Sequence, residues 1–444
     1  MKVIEVYKVA PAPSTSPAAN ISGDYFPLTF FDAVWLRFPP TQRVFFYEIK
    51  DLSFSVFSDD ILPKLKHALS LTLQYYPQLA GNLTWHPVTG NPAIRFATDD
   101  DGIFLTVAES TADFHSLSTH DVKEVKDLHP LLSDFHVSEN QATVISLQVT
   151  LFPGSGFSIG YTAHHAVLDG KSASMFIKSW AKLCHVGSLP SEMTPVLERS
   201  LINDPSDICT IFTNIWKKMP PEGTFHLMEM KPAPGLLRGT FRLTRKQIGH
   251  IKSIINSPVS SFTAVCSYIW TCLVKAEGDI KHENVLLGIN MDCRARLNPP
   301  IPVNYIGNCV AFRMATVKVV SLEGGEGLVT AAAAIKEAVG GLPEGVVKGA
   351  EKWFSDESAK VFAEQKMYAI GGSPLFRLYG ADFGWGRPTK VEMVSIDKSG
   401  AFSLCDDRDD NGGMEIGIVL SKPKIEAFSS IFYEGLDEIE IGNK

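Results

Sequence analysis

The chain has 444 residues, 45% of them hydrophobic and 20% charged, and carries a formal net charge of −8. That balance describes a folded protein with a large core in two or three domains, and it excludes the disordered and fibrous classes. It also argues against nucleic acid or an anionic membrane as partner, so an anionic ligand must be met by local basic groups.

Targeting and redox signals are few. The seven cysteines (184, 209, 266, 272, 293, 309 and 405) are odd in number and scattered, without the paired spacing of a metal site. The N-terminus lacks the apolar core and cleavage site of a signal peptide, and no run of about eighteen apolar residues occurs. A cytoplasmic protein with reduced thiols is expected.

In chain order, residues 10–24 are rich in Pro, Ser and Ala and read as a loose surface segment. An aromatic-dense stretch, 26–36, leads to a predicted strand over 43–49. Leu62, Leu65, Leu69 and Leu73 lie at helical spacing, with Pro63 near the first turn and Pro77 as the stop. Short strands are expected near 93–96 and 104–108. The stretches 145–152 and 157–163 alternate with period two around Pro153-Gly-Ser-Gly156, a composition that predicts a hairpin. His165 falls at the end of the second strand, on its apolar side. Beyond Asp169-Gly170, the positions Ala173, Phe176, Ile177, Trp180 and Cys184 predict a helix, with Ser172 or Ser174 as its N-cap.

From about residue 187 the periodicity fades, which suggests a first domain over 1–190, a crossover loop over 191–235 and a second domain over 236–444. The second half reads as a strand at 237–243, a helix face at Ile248, Ile251 and Ile255, and a helix from Ser260-Ser261 towards Lys275. Strands are expected at 285–290, 309–316, 390–397 and 414–420, helices at 327–339, 351–365 and 422–436, and a hairpin tip at 406–413. Strands and helices interleave in both halves, the pattern of α/β layers.

Two motifs carry chemistry. His165-Ala-Val-Leu-Asp169-Gly170 delivers an imidazole at a strand end beside a helix N-terminus; alone, such a histidine is more often structural. Far downstream stand Asp382, Phe383, Gly384, Trp385 and Gly386, two glycines around a tryptophan that predict a tight, buried bend. A kinase reading of Asp-Phe-Gly fails, because no Gly-x-Gly-x-x-Gly loop or His-Arg-Asp accompanies it. A metal site on His164, His165 and Asp169 is disfavoured, since adjacent strand residues point to opposite faces.

Together the two motifs resemble the BAHD family of plant acyl-CoA-dependent acyltransferases. The resemblance extends over the whole chain through Pro27-Leu-Thr-Phe-Phe-Asp32, Tyr76-Pro-Gln-Leu-Ala-Gly-Asn82, Ser260-Ser-Phe262, Asp292-Cys-Arg294 and Asn304-Tyr-Ile-Gly-Asn-Cys309. The last is similar to the Tyr-Phe-Gly-Asn-Cys signature of the clade acting on anthocyanin and other phenolic glucosides, with Ile306 in place of phenylalanine. The stretch around His165 looks most like the malonyltransferases of that clade.

The resemblance implies two chloramphenicol-acetyltransferase-like α/β domains of mixed sheets and helices, joined by the crossover, with the histidine in a channel between them. It implies acyl transfer, with malonyl as the expected group, from acyl-CoA to a sugar hydroxyl of a phenolic or flavonoid glucoside. Hydroxycinnamoyl-CoA is the alternative donor. No cofactor is held permanently, no metal is required, and a monomer is expected. His165 is the candidate general base, since imidazole titrates near 6.5 and is neutral at cytosolic pH; His164 is read as structural. Asp169 invites a triad role, whereas the resemblance has it support the loop by pairing with Arg294. Gly372 and Ser373 are the oxyanion candidates. Ser260, Ser261 and Phe262 match the CoA region, with Lys252 as a phosphate cation. Asp382, Phe383, Gly384, Trp385 and Gly386 are structural. For a malonyl carboxylate, Lys171, Arg294 and Arg296 are the cations considered.

Overall fold

The computed structural model describes residues 1–13, 25–96, 101–204, 206–230, 232–340, 345, 347–353, 365–409 and 411–441. Most of the surface segment expected at 10–24, and most of the helix expected at 351–365, therefore lie outside the described residues; Ala350–Lys352 form a single 3-10 turn.

Two large sheets organise the chain. The first runs Lys2–Val9, Ile103–Glu109, Ile145–Phe152, Gly156–Ala163, Thr41–Glu48 and Lys390–Met393, hydrogen-bonded in that order. All its pairs are antiparallel except Ile103–Glu109 with Ile145–Phe152. The second runs Val310–Lys318, Asn284–Asp292, Lys366–Gly372, Ala401–Asp406, Met414–Ser421, Leu236–Leu243 and Lys123–Glu124. Lys366–Gly372 is parallel to both its neighbours. A small four-stranded sheet, with Tyr25–Pro27, Pro92–Arg95, Asn82–Trp85 and Gln141–Thr143, completes the β structure among the described residues.

The hairpin at 153–156 forms as its composition dictates, with Gly154 at φ +77° where any side chain would be strained. Both faces of Gly156–Ala163 are buried. Its apolar side meets the core with Leu147, Trp180 and Phe176, while on the other face Gly160 lies under the segment at 129–132, where the Pro130 carbonyl accepts Gln148 Nε2 at 2.8 Å. The helix Gly170–Val186 buries Ala173, Phe176, Ile177, Trp180 and Leu183 in this core, packed along the helix Leu62–Tyr75, and ends at Gly187, which is left-handed. Its N-cap is Asp169, whose Oδ1 accepts the Ser172 amide at 2.8 Å, and not Ser172 or Ser174 as the sequence suggests.

The second core gathers around the helix Ser261–Glu277, buried on nearly all sides against Asn284–Asp292, Lys366–Gly372 and the helices Arg245–Ile255, Gly327–Gly340 and Lys422–Ile441. A helix apolar all round must be enclosed by its neighbours.

The halves exchange elements. Lys390–Met393 from the second half forms the edge of the first sheet, and Lys123–Glu124 forms the edge of the second. The exchange is tied by buried ion pairs: Arg238 with Glu392 at 3.0 Å and with Asp397, and Lys390 with Glu415 at 2.8 Å. The stretch expected as strand over 390–397 thus ends at Met393 and turns into the short helix Ile396–Ser399, which brings Asp397 to Arg238. Nor is 191–235 all loop: it contains the helix Ile208–Lys218, docked through Phe212 and Trp216. Trp216 Nε1 donates to the Ala33 carbonyl at 2.7 Å, and buried Arg37 donates to the His226, Pro220 and Pro221 carbonyls.

Candidate active site

A cavity of about 1070 Å³ lies where the two halves meet. The first half contributes Trp35, Thr41, Arg43, Tyr161, His165 and the start of the helix Gly170–Val186. The second contributes Ser260, Phe262, Asn290–Asp292, Gly371–Ser373 and Met393.

His165 sits two residues past the end of its strand, where the last hydrogen-bonded pair is Ala163 with Thr41. Its imidazole lies flat on the Trp35 indole, with ring centroids 4.1 Å apart and planes 10° apart. Nδ1 is buried without a partner, which leaves Nε2 as the nitrogen facing the cavity. Burial lowers the His165 pKa to about 4, against the weaker raising effects of its own backbone and of the Asp169 charge. The ring is therefore neutral at neutral pH. His164 points to the opposite side, fully buried near Phe135, with Nδ1 accepting the Ala166 amide at 3.2 Å. Burial brings it to about 3.

The Asp169 carboxylate is used up away from the imidazole. Beyond the cap bond, its Oδ2 accepts Arg294 Nη2 at 2.8 Å and the Cys309 amide at 3.2 Å. Arg294 is itself buried and reaches Asp292 at 2.9 Å and the carbonyls of Tyr305 and Gly307 at 3.1 and 2.9 Å. This geometry matches a loop clamp and not a triad. Lys171 donates to the other Asp292 oxygen at 2.9 Å.

Gly372 and Ser373 reach the cavity wall at the end of Lys366–Gly372. Gly372 takes φ +75°, and a Cβ there would lie 2.6 Å from the Leu404 carbonyl oxygen, so only glycine fits. Ser373 Oγ accepts the Leu375 amide at 3.2 Å. Ser260 caps the helix Ser261–Glu277 by accepting the Thr263 amide at 3.0 Å, and it lines the cavity with Phe262 and Thr263. Ser261 and Lys252 do not line it: Lys252 belongs to the helix Arg245–Ile255, outside the cavity wall.

The bend from Asp382 to Gly386 is tight, with Asp382 Oδ1 accepting the Gly384 and Gly386 amides at 2.8 and 3.0 Å. It is not wholly buried as the sequence suggests. Phe383 is buried edge-on to Trp180 and Tyr47, but Gly384 and Gly386 are exposed and Trp385 is half-buried. The glycines serve backbone conformation, both having positive φ, more than close packing.

A family model described as the transferase family matches residues 14–434. Phenolic glucoside malonyltransferase 1 of Arabidopsis thaliana is 37% identical, over 98% of each chain. The chain belongs to the BAHD acyltransferase family. Another Arabidopsis thaliana relative, malonyl-CoA:anthocyanidin 5-O-glucoside-6''-O-malonyltransferase, is 36% identical, again over 98% of each chain. The crystal structure of vinorine synthase superposes with a TM-score of 0.70 over 96% of both chains at 18% identity, which shows the shared fold, two chloramphenicol-acetyltransferase-like halves. As a BAHD enzyme the chain is an acyl-CoA-dependent acyltransferase, with acyl-CoA a co-substrate.

Two groups around the BAHD histidine escaped the reading of the sequence. Trp35 supplies the surface on which His165 lies. Asn308 Nδ2 donates to the His165 carbonyl at 2.9 Å and to Asp32 Oδ1 at 3.1 Å, fixing the backbone that carries the ring. Both stand in or beside stretches quoted above (26–36 and 304–309), but nothing in a linear pattern says that they converge on residue 165.

Among the described residues no helix is long and apolar enough to cross a membrane.

Proposed function

We propose that this enzyme moves a malonyl group from malonyl-CoA to a sugar hydroxyl of a phenolic or flavonoid glucoside by single displacement, with His165 as general base. The carrying observation is that His165, kept neutral by burial and stacked on Trp35, opens on a cavity walled by both halves. A hydroxyl at Nε2 gives up its proton as its oxygen attacks the thioester carbonyl. The tetrahedral oxyanion collapses, the C–S bond breaks, and the thiolate leaves with the proton held by His165 available to it. Gly372 and Ser373 border the position where that oxyanion develops. Asp169 and Arg294 hold the loop and take no proton.

Ser260 and Phe262 receive the pantetheine arm, supported by their place on the cavity wall, while Ser261 and Lys252 have no such support. CoA approaches from that side and the glucoside from the Trp35 side. The Asp382–Gly386 bend props the wall structurally. Malonyl as donor and a glucoside as acceptor rest on the names of the relatives. The enzyme works as a monomer in the cytosol, a compartment that suits its seven free thiols.

Incubation with a panel of acyl-CoAs and glucosides, read by mass spectrometry, tests this reading. A malonyl mass gain on the glucoside is expected, and a hydroxycinnamoyl gain alone overturns the donor assignment. His165→Ala should abolish turnover while CoA still binds by calorimetry; residual turnover within tenfold of wild type would remove the general base.

A further inference from the structure

A malonyl thioester carries a free carboxylate, and a cavity that selects it needs a cation facing the acyl group. Among the described residues six cationic side chains line the cavity: Arg43, Lys171, Lys178, Lys182, Arg294 and Arg296. Most are engaged or wet. Lys171 is paired with Asp292, and Arg294 with Asp169 and Asp292. Lys178 donates to the Phe376 carbonyl at 2.8 Å, and exposed Arg296 donates to the Val339 carbonyl at 3.2 Å. Lys182 lies half-buried further along the helix Gly170–Val186.

Arg43 differs from all of them. It sits mid-strand in Thr41–Glu48, opposite Tyr161 on one side and Met393 on the other, and is 2% exposed. Among the described residues its guanidinium has one side-chain partner, the neutral Tyr161 hydroxyl at 3.3 Å, and no carboxylate within ion-pair distance. Guanidinium stays charged in proteins and carries five donors, so a buried arginine meeting one hydroxyl is a cation awaiting an anion. A purely structural arginine at this depth is expected to have its donors taken, by carboxylates as in Arg238 and Arg294 or by several carbonyls as in Arg37. Its direction is informative too. Arg43 Nη2 lies 3.7 Å from the point where a Cβ on Gly372 would stand, which puts the fork against the wall assigned above to the acyl carbonyl. In a malonyl group the carboxylate carbon is only two bonds from that carbonyl carbon.

We propose that Arg43 is the donor-specificity residue, its guanidinium taking the free carboxylate of a short dicarboxylic acyl-CoA in a two-pronged ion pair. The inference rests on the acyl-transfer reading above. It displaces Lys171, Arg294 and Arg296 as candidates, because two of these serve Asp169 and Asp292 and the third is solvated. A neutral acyl group gains nothing from the fork, and an aromatic one leaves it desolvated and unpaired, so the same residue both attracts the right donor and rejects wrong ones.

The test compares malonyl-CoA with acetyl-CoA on one glucoside acceptor, for the wild type, Arg43→Gln and Arg43→Lys, with the folding of each variant followed by circular dichroism. The ratio of kcat/KM for malonyl-CoA over acetyl-CoA should fall ~100-fold in Arg43→Gln and by an intermediate factor in Arg43→Lys, which keeps the charge and loses the fork. A ratio that stays within about threefold of wild type, both donors falling together, overturns the proposal and makes Arg43 structural. If Arg43→Gln does not fold, the ratio in Arg43→Lys decides by the same criterion. A wild-type enzyme that ignores malonyl-CoA sinks the donor assignment and this proposal together. A wild-type preference for malonyl-CoA that survives in the variants sinks this proposal alone.

Discussion

Replacing Asp169 by asparagine separates a clamp from a triad. The carboxylate makes three contacts: the Ser172 amide at 2.8 Å, Arg294 Nη2 at 2.8 Å and the Cys309 amide at 3.2 Å. Asparagine can keep the cap through its carbonyl oxygen, so that contribution of about 1 kcal/mol survives. It cannot keep the ion pair. Of its two carboxylates Arg294 then keeps Asp292, whose side chain is 43% exposed and shared with Lys171. Breaking one partner of a buried pair costs about 3–5 kcal/mol, and this pair belongs at the lower end because Asp292 remains. The damage also spreads to the base, since Cys309 follows Asn308, which holds the His165 carbonyl. A displacement of about 1 Å at the ring is enough to lower kcat ~100-fold. Urea unfolding followed by tryptophan fluorescence, together with steady-state kinetics, should show both losses in Asp169→Asn. The double variant with Arg294→Gln should lose about 2 kcal/mol less than the sum of the singles. A variant with the wild-type unfolding midpoint and a rate loss confined to proton transfer would refute the clamp.

Three further outcomes follow from the geometry. Because burial lowers His165 to about 4, kcat/KM should stay flat as pH falls from 7 and decline only near pH 4, and an acid limb centred near 6.5 would contradict the buried, neutral ring. Trp35→Leu removes the stacked indole and admits water, so that limb should move upward towards the ordinary imidazole value, with about 3 kcal/mol of stability lost; stopped-flow pH profiles and thermal melts read the two effects. Glu415 has its pKa lowered to about 2: burial opposes this, but the His120 hydrogen bond and Lys390 outweigh it. A depressed carboxylate contributes stability that is complete above its unfolded value of about 4.5 and is lost as pH falls through 2. Wild type should therefore lose about 3 kcal/mol from this group across that window, and Glu415→Gln, less stable at pH 7, should show a shallower acid dependence by urea titration.

Much of the fold was legible in the chain because periodicity survives folding. The hairpin at 145–163, the helix after Gly170, and the helix with Leu62, Leu65, Leu69 and Leu73 all announce themselves through spacing and turn composition, and all form. Elements whose signal is short or mixed were not legible. Lys366–Gly372 ends in two glycines yet is central to the second sheet, because flanking strands and helices supply burial that its own residues do not advertise. The helix Ile208–Lys218 carried a readable signal in Ile208, Phe212 and Trp216, hidden within a Pro- and Ser-rich neighbourhood.

The linear order of residues marked the histidine and its aspartate as a local motif, and the resemblance carried by the second motif gave them their roles and named the arginine that answers the aspartate. Tertiary structure alone decided what surrounds that imidazole. Trp35 and Arg43 come from one stretch of the first half and Asn308 from the second, and they gather around one sheet end only because the two halves close on each other. Neighbourhood in space, and with it the burial that neutralises a ring or leaves a cation unpaired, is a property of packing, and no spacing rule encodes it.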